Sequence, residues 1–139
     1  MHRDTILLVE DNDDDALLFR RAVEKSGCDA DVCHCDSAHA AMQHLDSLRG
    51  DNRPLPALVF VDLLLPNVRG THLVTWMKQR DEFRGIPIIV MTGSAPPKTI
   101  ADLAALGTNA VMLKPMGSQQ LEEAIGAACI FWLKYCLRS

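Results

Sequence analysis

Four apolar runs of this chain each end in a polar or charged residue, and this pattern restricts the fold more than any other feature of the sequence. The runs and the residues that follow them are residues 6–9 before Glu10 and Asp11, residues 57–61 before Asp62, residues 88–91 before Thr92, and residues 111–113 before Lys114. If the runs are parallel strands of one sheet, these side chains gather at the edge formed by the carboxyl ends of the strands. Three carboxylates, a hydroxyl and an ammonium group at one edge suit a divalent cation and a phosphoryl group.

Longer segments with helical periodicity separate the apolar runs. Predicted strands cover residues 5–10, 30–35, 57–62, 86–91 and 109–113. Predicted helices cover about residues 14–26, a segment that Ser37 could cap, residues 68–80, a segment from Pro96 and Pro97 to Gly107, and a segment from near Ser118 almost to the end. Strict alternation of this kind implies a doubly wound α/β fold, with a five-stranded parallel sheet and five helices on its two faces.

The composition fits one globular domain, which we expect to span residues 1–139 without an attached output domain. The 139 residues are 48% hydrophobic and 23% charged, with a net charge of -4. Without a long basic run, this charge gives no support for nucleic-acid binding. No apolar stretch reaches the roughly 18 residues that suggest a membrane span, and the early acidic residues do not fit a secretory signal. An odd number of cysteines, five, favours free thiols in a reducing cytoplasm.

The polar residues at the predicted strand ends carry a resemblance to a known family. The matching residues are Glu10 and Asp11, Asp62 with Pro66 and Gly70 in the spacing D-x-x-x-P-x-x-x-G, Thr92 with Gly93, and Lys114 with Pro115. In this order the motifs resemble the response-regulator receiver domain, the phospho-acceptor of two-component signalling. The resemblance covers essentially the whole chain and implies the flavodoxin-like receiver fold.

The resemblance implies a nucleophile and a metal site at the strand ends. Asp62 would be the phospho-acceptor, whose carboxylate attacks phosphorus and forms an acyl phosphate. Asp11 and Asp62 would be direct ligands of Mg²⁺, and Glu10 would act through a water molecule. The backbone carbonyl of Leu64 would complete the protein's share of the coordination.

The resemblance also implies groups that stabilise the phosphoryl oxygens. Lys114 would pair with Asp62 at rest and with a phosphoryl oxygen later. The hydroxyl of Thr92 and the backbone N–H of Gly93 would donate to another phosphoryl oxygen, so that the loop after Thr92 shifts on phosphorylation. The peptide bond between Lys114 and Pro115 would be cis, as in the family, and would direct the lysine inward.

Each of these residues, taken alone, also has a structural explanation. Glu10 and Asp11 could cap the first helix, as could Asp13 or Asp14. Asp62 could be a turn residue, and the hydroxyl and ammonium groups could be ordinary surface groups. Capping does not require all of these groups to lie at one edge, so their combination favours the phospho-acceptor site.

Two residues depart from the pattern of many receivers. Val111 stands where many receivers have an aromatic residue that swings inward on activation, so the usual coupling between threonine and aromatic side chain cannot operate here. Leu64 is often polar in relatives, and an apolar side chain there cannot position an attacking water molecule. We therefore predict slow loss of phosphate from Asp62, which Ser94 could partly offset by holding water.

The last predicted helix is apolar at every position of residues 127–137 except Lys134. Its predicted buried stripe is Leu121, Ile125, Ala128 and Trp132, and Ile130, Phe131, Leu133 and Leu137 cannot all join it. Large exposed apolar patches are uncommon on monomers, so we expect a homodimer through this helix. Phe131 and Trp132, with the loop lengths, resemble stand-alone regulators associated with phytochrome kinases.

Three functions remain open from the sequence. The first is a phospho-receiver that takes phosphate from a histidine kinase or a phosphotransfer protein, and acts through protein contacts or as a phosphate sink. The sub-family resemblance implies a phytochrome-like kinase. The second is a binding module with an unused site, which acts through its apolar last helix. The third is a phosphatase with an aspartyl-phosphate intermediate, but Leu64 replaces the second aspartate that such enzymes need. We therefore expect that the chain is not an enzyme.

A group of sulfur and imidazole ligands in the second predicted strand suggests a metal site at first sight. The residues are Cys33, His34 and Cys35. In an extended strand the two cysteines share a face and the histidine points away, so the three cannot converge on one ion. Buried thiols are the expected outcome for all the cysteines.

Overall fold

The computed structural model describes residues 3–63, 70–94 and 96–136. The strands in these ranges are β1 (Asp4–Val9), β2 (Ala30–Cys35), β3 (Leu58–Asp62), β4 (Ile88–Thr92) and β5 (Ala110–Leu113). The helices are α1 (Asp13–Ser26), α2 (Ala38–Gly50), α3 (Gly70–Lys78), α4 (Pro97–Leu106) and α5 (Ser118–Ile130), followed by a π-helix at Phe131–Tyr135. The predicted alternation of five strands and five helices is confirmed.

All strand pairs of the sheet are parallel, and the strand order is β2-β1-β3-β4-β5. The order reverses direction between β1 and β3, since the chain first moves to one side of β1 and then to the other. In open parallel sheets, ligands bind beyond the carboxyl ends of the strands at this switch point. Strands β1 and β3 meet at this point. Two of the predicted carboxylates, Glu10 and Asp11, follow β1, and the third, Asp62, ends β3.

Helices cover both faces of the sheet, and each face has its own apolar core. On one face α1 and α5 pack over a cluster in which the ring of Phe19 meets that of Phe60 edge-on, with centroids 4.8 Å apart. On the other face α2, α3 and α4 pack over a cluster that includes Leu45, Leu73 and Met77. Buried strands covered on both sides explain the nearly continuous runs of aliphatic residues in the sequence.

Local signals position most helix ends where the sequence predicts them. The hydroxyl of Ser37 accepts a hydrogen bond from the N–H of Ala40 and begins α2, while Gly27 and Gly107 end α1 and α4 in the left-handed conformation. The alternative explanation, in which Glu10 or Asp11 caps α1, is excluded because Asn12 caps this helix by accepting from the N–H of Asp15. Glu10 and Asp11 are thereby left for another role.

Several predicted boundaries differ from the structure by one or two residues. Strand β4 begins at Ile88, two residues later than predicted, and extends to Thr92. Helix α2 begins after Ser37, as predicted, and ends at Gly50. Helix α3 is described from Gly70 to Lys78, and the predicted residues 68 and 69 lie outside the described ranges.

Close packing at Gly70 explains why the D-x-x-x-P-x-x-x-G spacing ends in glycine. It begins α3, and its N–H donates to the carbonyl of Leu63 at 3.2 Å. A Cβ atom added to it would lie 2.5 Å from the carbonyl oxygen of Asp62 and 3.2 Å from a methyl group of Val61. Only glycine therefore lets α3 begin against the end of β3, where the Asp62 side chain projects.

The predicted buried stripe of the C-terminal segment is confirmed, and it is wider than predicted. Ile125 is buried and Leu121, Ala128 and Trp132 pack against the same cluster, which Cys129 and Leu133 also join, because positions i, i+4, i+7 and i+8 share one helix face. Phe131 stays exposed, so the apolar residues outside the predicted stripe do not all join it. Leu137 lies outside the described residues.

The segment also changes its helix type, which the sequence does not predict. From Phe131 to Tyr135 it is a π-helix, and the N–H of Cys136 closes the wide turn on the carbonyl of Phe131. The side chains of Phe131 and Tyr135 are 53% and 68% exposed. Among the described residues, no helix has the length and apolar character needed to cross a bilayer.

Candidate functional site

The three predicted carboxylates meet at the switch point of the sheet. Glu10 and Asp11 directly follow β1, and Asp62 is the last residue of β3. One carboxylate oxygen from each residue lies within 4.8 Å of the others. Glu10 is only 2% exposed, whereas Asp11 is exposed, so the group forms a pocket with a buried floor and an open side.

The edge strand β2 fixes the backbone of Glu10 from both sides. The N–H of Glu10 donates to the carbonyl of Cys35 at 3.0 Å. The Nε2 of His34 lies 2.6 Å from the carbonyl oxygen of Glu10, and a carbonyl can only accept, so the imidazole donates. Sequence reasoning assigned His34 no role, because the contact joins residues far apart in the chain.

Lys114 reaches across the sheet edge to two of the three carboxylates. Its Nζ donates to Oδ2 of Asp62 at 2.9 Å and lies 3.6 Å from Oε2 of Glu10. Burial alone would lower the pKa of Lys114, but the hydrogen bond to Asp62 and the negative charges of Glu10 and Asp62 outweigh it and raise the pKa. The lysine is therefore protonated throughout the physiological range.

The peptide bond between Lys114 and Pro115 is trans, like the other peptide bonds in the described ranges, so the expected cis bond was wrong. The backbone N–H of Lys114 donates to the carbonyl of Thr92 at 2.8 Å. This hydrogen bond continues the pairing of β4 with β5 past the end of β5 at Leu113. Strand pairing directs the lysine to Asp62 without a cis bond.

The donor set fits a hard divalent cation. Oε2 of Glu10 is buried and has no hydrogen-bond partner among the described residues. Such an atom is costly to leave unsatisfied, and a cation or its bound water would satisfy it. Magnesium prefers oxygen ligands and binds through one or two carboxylates. Glu10, Asp11 and Asp62 are therefore the residues that would hold it.

Burial gives Glu10 an unusual proton affinity. Burial first, then a hydrogen bond with Asp62 and repulsion from Asp62 and Asp15, raise the pKa of Glu10 from 4.5 to about 8, against the attraction of Lys114. The folded protein thus binds this proton more tightly than the unfolded chain does. Glu10 stabilises the metal-free fold fully below about pH 4.5, and this contribution is lost as the pH rises through about 8.

We expect the thermal stability of the metal-free protein to fall as the pH rises from about 4.5 to about 8, because the folded protein keeps the Glu10 proton over this range and the unfolded chain has lost it. Mg²⁺ should raise Tm more at the higher pH, since the cation competes with the proton for the Glu10 site. Thermal unfolding with EDTA and with Mg²⁺ measures both effects. In Glu10→Gln the pH dependence should flatten; an unchanged profile would show that other groups cause it.

Thr92 ends β4 beside the acidic group, with its hydroxyl already engaged. Oγ1 donates to the carbonyl of Ser94 at 2.8 Å and accepts from the N–H of Ser94 at 3.3 Å. The predicted donation to a phosphoryl oxygen therefore requires the hydroxyl to leave the Ser94 carbonyl. Thr92, Gly93 and Ser94 also line a cleft of about 480 Å³ between the sheet edge and α4.

Two further predicted residues have different outcomes. Leu64 lies outside the described residues, as does Pro66, so the role of its carbonyl as a metal ligand and its effect on phosphate lifetime stay predictions. Val111 lies in β5, packs against the core under α4, and lines a second cleft of about 480 Å³ with Ile100 and Leu113.

Comparisons with known proteins agree with this geometry. The family model described as "Response regulator receiver domain" matches residues 6–126. The chain is 31% identical, over 92% of its length and 83% of the relative's, to a probable methanogenesis regulatory protein, FilR2, of Methanothrix harundinacea. It is 29% identical, over 87% of its length and 92% of the relative's, to the polar-differentiation response regulator DivK of Brucella ovis.

Solved structures share the fold over nearly the whole chain. The phosphorylated cyanobacterial phytochrome response regulator RcpA is 26% identical, with a TM-score of 0.90 over 99% of both chains. The Mn²⁺-bound form of the response regulator Rcp1 is 27% identical, with a TM-score of 0.87 over 98% of this chain and 99% of the other.

Proposed function

Because the chain belongs to the response regulator receiver domain family of two-component signalling, we propose that Asp62 accepts a phosphoryl group from a histidine kinase or a phosphotransfer protein, with Mg²⁺ as the cofactor. The observation that carries the proposal is the contact of 2.9 Å between Lys114 and Asp62 inside a group of three carboxylates. A half-buried cation that donates to Asp62 orients that carboxylate and later stabilises the charge that the phosphoryl group brings.

The chemistry is a displacement at phosphorus. A carboxylate oxygen of Asp62 forms a bond to phosphorus while the bond from phosphorus to the donor nitrogen or oxygen breaks, and the leaving group keeps that electron pair. Lys114 releases Oδ2 of Asp62 and pairs with a phosphoryl oxygen. A bound Mg²⁺ would supply positive charge between the carboxylates and the phosphoryl oxygens, which otherwise repel each other.

The expected switch is a change in the hydrogen bonds of Thr92. Phosphorylation adds roughly two negative charges and several acceptor oxygens next to a hydroxyl that now donates to Ser94. Donation of the Thr92 hydroxyl to the phosphoryl group would break that bond and shift the loop that leads from Thr92 to α4. We propose that the changed surface is read by a partner protein, or that the chain serves as a phosphate sink, and that it turns over no substrate of its own.

Incubation with acetyl phosphate tests the chemistry without knowledge of the kinase. We expect a phosphorylated form on a phosphate-affinity gel with Mg²⁺, and none with EDTA or in Asp62→Asn. A wild-type protein that takes up no phosphate from acetyl phosphate or from a phosphorylated histidine kinase would favour the alternative, a binding module whose site is unused.

The structural neighbours support a narrower proposal about the kinase. RcpA is a phytochrome response regulator, and it matches this chain along its full length, including the C-terminal helix. We propose a phytochrome-like sensor kinase as the phosphodonor. Action in the cytoplasm stays a prediction from the cysteine content, as does the lack of nucleic-acid binding from the net charge.

We propose that the exposed aromatic rings of the C-terminal segment form the interface of a homodimer. Phe131 and Tyr135 lie four residues apart and expose about half or more of their surface, while Trp132 and Leu133 between them pack inward. Two aromatic side chains that point away from their own core form an apolar patch that a second copy could cover by two-fold symmetry.

We expect the double variant Phe131→Ser, Tyr135→Ser to elute as a monomer, with the wild type eluting as a dimer, because these side chains contribute little to the core. Size-exclusion chromatography with light scattering gives the mass directly. The matched control is Ile100→Ser, which removes an exposed apolar side chain from α4 and should leave the dimer intact. A monomeric wild type at high concentration would contradict the proposal.

A further inference from the structure

A second cluster of reactive side chains lies on the edge strand β2, on the face that packs against α2. Cys33 and Cys35 point to the same face of β2, toward α2, and both are partly buried. Sγ of Cys33 lies 3.5 Å from Nε2 of His44, which projects from the middle of α2. The pairing joins residues eleven positions apart, which explains why strand periodicity alone predicted only buried thiols.

The surroundings of Cys33 favour a thiolate. Interaction with Cys35 lowers the pKa of Cys33, against burial, with help from the charges of His44, Arg20 and His34. The same interaction, together with burial, raises the pKa of Cys35. Arg20 is held over β2 by its hydrogen bond of 2.8 Å to the carbonyl of Val32.

Cys33 is more accessible to solvent than the buried thiol of Cys129. Strand β2 is an edge strand, paired only with β1, so the Cys33 side chain lies near the rim of the sheet. Cys129 is buried under α5, and burial raises its pKa to about 12. Thiolate character and access decide which cysteine reacts with oxidants and alkylating agents.

We propose that Cys33 is a nucleophilic thiol that hydroperoxides oxidise reversibly, with His44 as the residue that holds its thiolate. The sulfur attacks one oxygen of the peroxide, so that an S–O bond forms and the O–O bond breaks. The peroxide is reduced to water or an alcohol after its leaving oxygen takes a proton, and the cysteine becomes a sulfenic acid. A thiol reductant restores the starting state.

The strand geometry favours the sulfenic acid as the product that persists. Residues two apart on an extended strand rise by about 6.6 Å, whereas a disulfide joins Cβ atoms only about 3.8 Å apart. A bridge between Cys33 and Cys35 would therefore require β2 to bend at His34. That bend would disturb the contacts of β2 with Glu10, which hold the floor of the acidic pocket.

Alkylation of the folded wild-type protein tests the thiol directly. Iodoacetamide labelling at several pH values, followed by peptide mass spectrometry, should show Cys33 reacting at least several-fold faster than Cys28, Cys136 and Cys129 near neutral pH. Hydrogen peroxide with dimedone present should place the dimedone adduct on Cys33. Equal labelling rates, or an adduct mainly on another cysteine, would overturn the proposal.

A pair of histidine variants separates the role of His44 from a general change in α2. In His44→Gln the labelling of Cys33 should slow several-fold near neutral pH, and its midpoint should move to higher pH. His39→Gln changes an exposed histidine on the same helix and should leave the profile unchanged. An unchanged profile in His44→Gln would remove the histidine from the proposal, and circular dichroism checks that each variant is folded.

Discussion

Replacing Lys114 by glutamine should slow the phosphorylation of Asp62 by acetyl phosphate about a hundredfold, the usual effect of removing one positioned donor from a developing negative charge. In the folded protein the ammonium group of this lysine lies 2.9 Å from Asp62 and 3.6 Å from Glu10. Glutamine retains a donor but not the charge. Initial rates on a phosphate-affinity gel at saturating Mg²⁺ measure the effect.

The matched control is Lys98→Gln on α4, which removes an exposed lysine that no site contact involves. Its rate should equal that of the wild type. If Lys114→Gln were phosphorylated as fast as the wild type, the ion pair with Asp62 would have only a structural role. Thermal unfolding of the variant distinguishes a slow reaction from a misfolded site.

Replacing Gly70 by alanine should lower the free energy of unfolding by about 1–3 kcal/mol, the usual cost of forcing an extra carbon into a closely packed position. The new methyl group would meet the carbonyl oxygen of Asp62 at 2.5 Å, and a backbone carbonyl cannot rotate away as a flexible side chain could. Either α3 or the end of β3 must move. Urea denaturation of wild type and variant measures the difference.

Gly50→Ala is the control for this substitution, since it also changes a helical glycine but has no atom within 4 Å of the added carbon. Alanine favours helix more than glycine does, so this control should be neutral or stabilising by up to about 1 kcal/mol. If Gly70→Ala were as stable as Gly50→Ala, α3 could shift without cost. The glycine of the motif would then need another explanation.

The fold could be predicted from the sequence because its signals are local. Apolar runs of three to five residues and glycines after helical segments are read within one window of the chain. The sequence left open what a neighbour in space decides. Of the apolar residues outside the predicted stripe of the last helix, Leu133 packs against the core and Phe131 stays exposed.

The site could be predicted in its membership but not in its contacts. The order of strands brings Glu10, Asp11, Asp62 and Lys114 to one edge, as their places after apolar runs imply. The engagement of the Thr92 hydroxyl with Ser94 depends on the loop conformation, which the residue types alone do not determine.

Contacts between residues far apart in the chain could not be predicted from the sequence for a further reason. His34 and Cys33 are adjacent in β2 but point to opposite faces, where one meets Glu10 and the other meets His44. Spacing rules for ligands consider residues on one element or in one motif. Neither partnership has a signature of that kind, so only the packed structure shows them.

The identity of the phosphorylated residue tests the central claim most directly. An acyl phosphate on aspartate is reduced by borohydride to homoserine, whereas phosphate on serine, threonine or histidine is not. After incubation with acetyl phosphate and Mg²⁺, reduction and peptide mass spectrometry should find homoserine at position 62 and aspartate at Asp11, Asp13, Asp14 and Asp15. Homoserine at one of those four positions, or phosphate retained with none at position 62, would contradict the account.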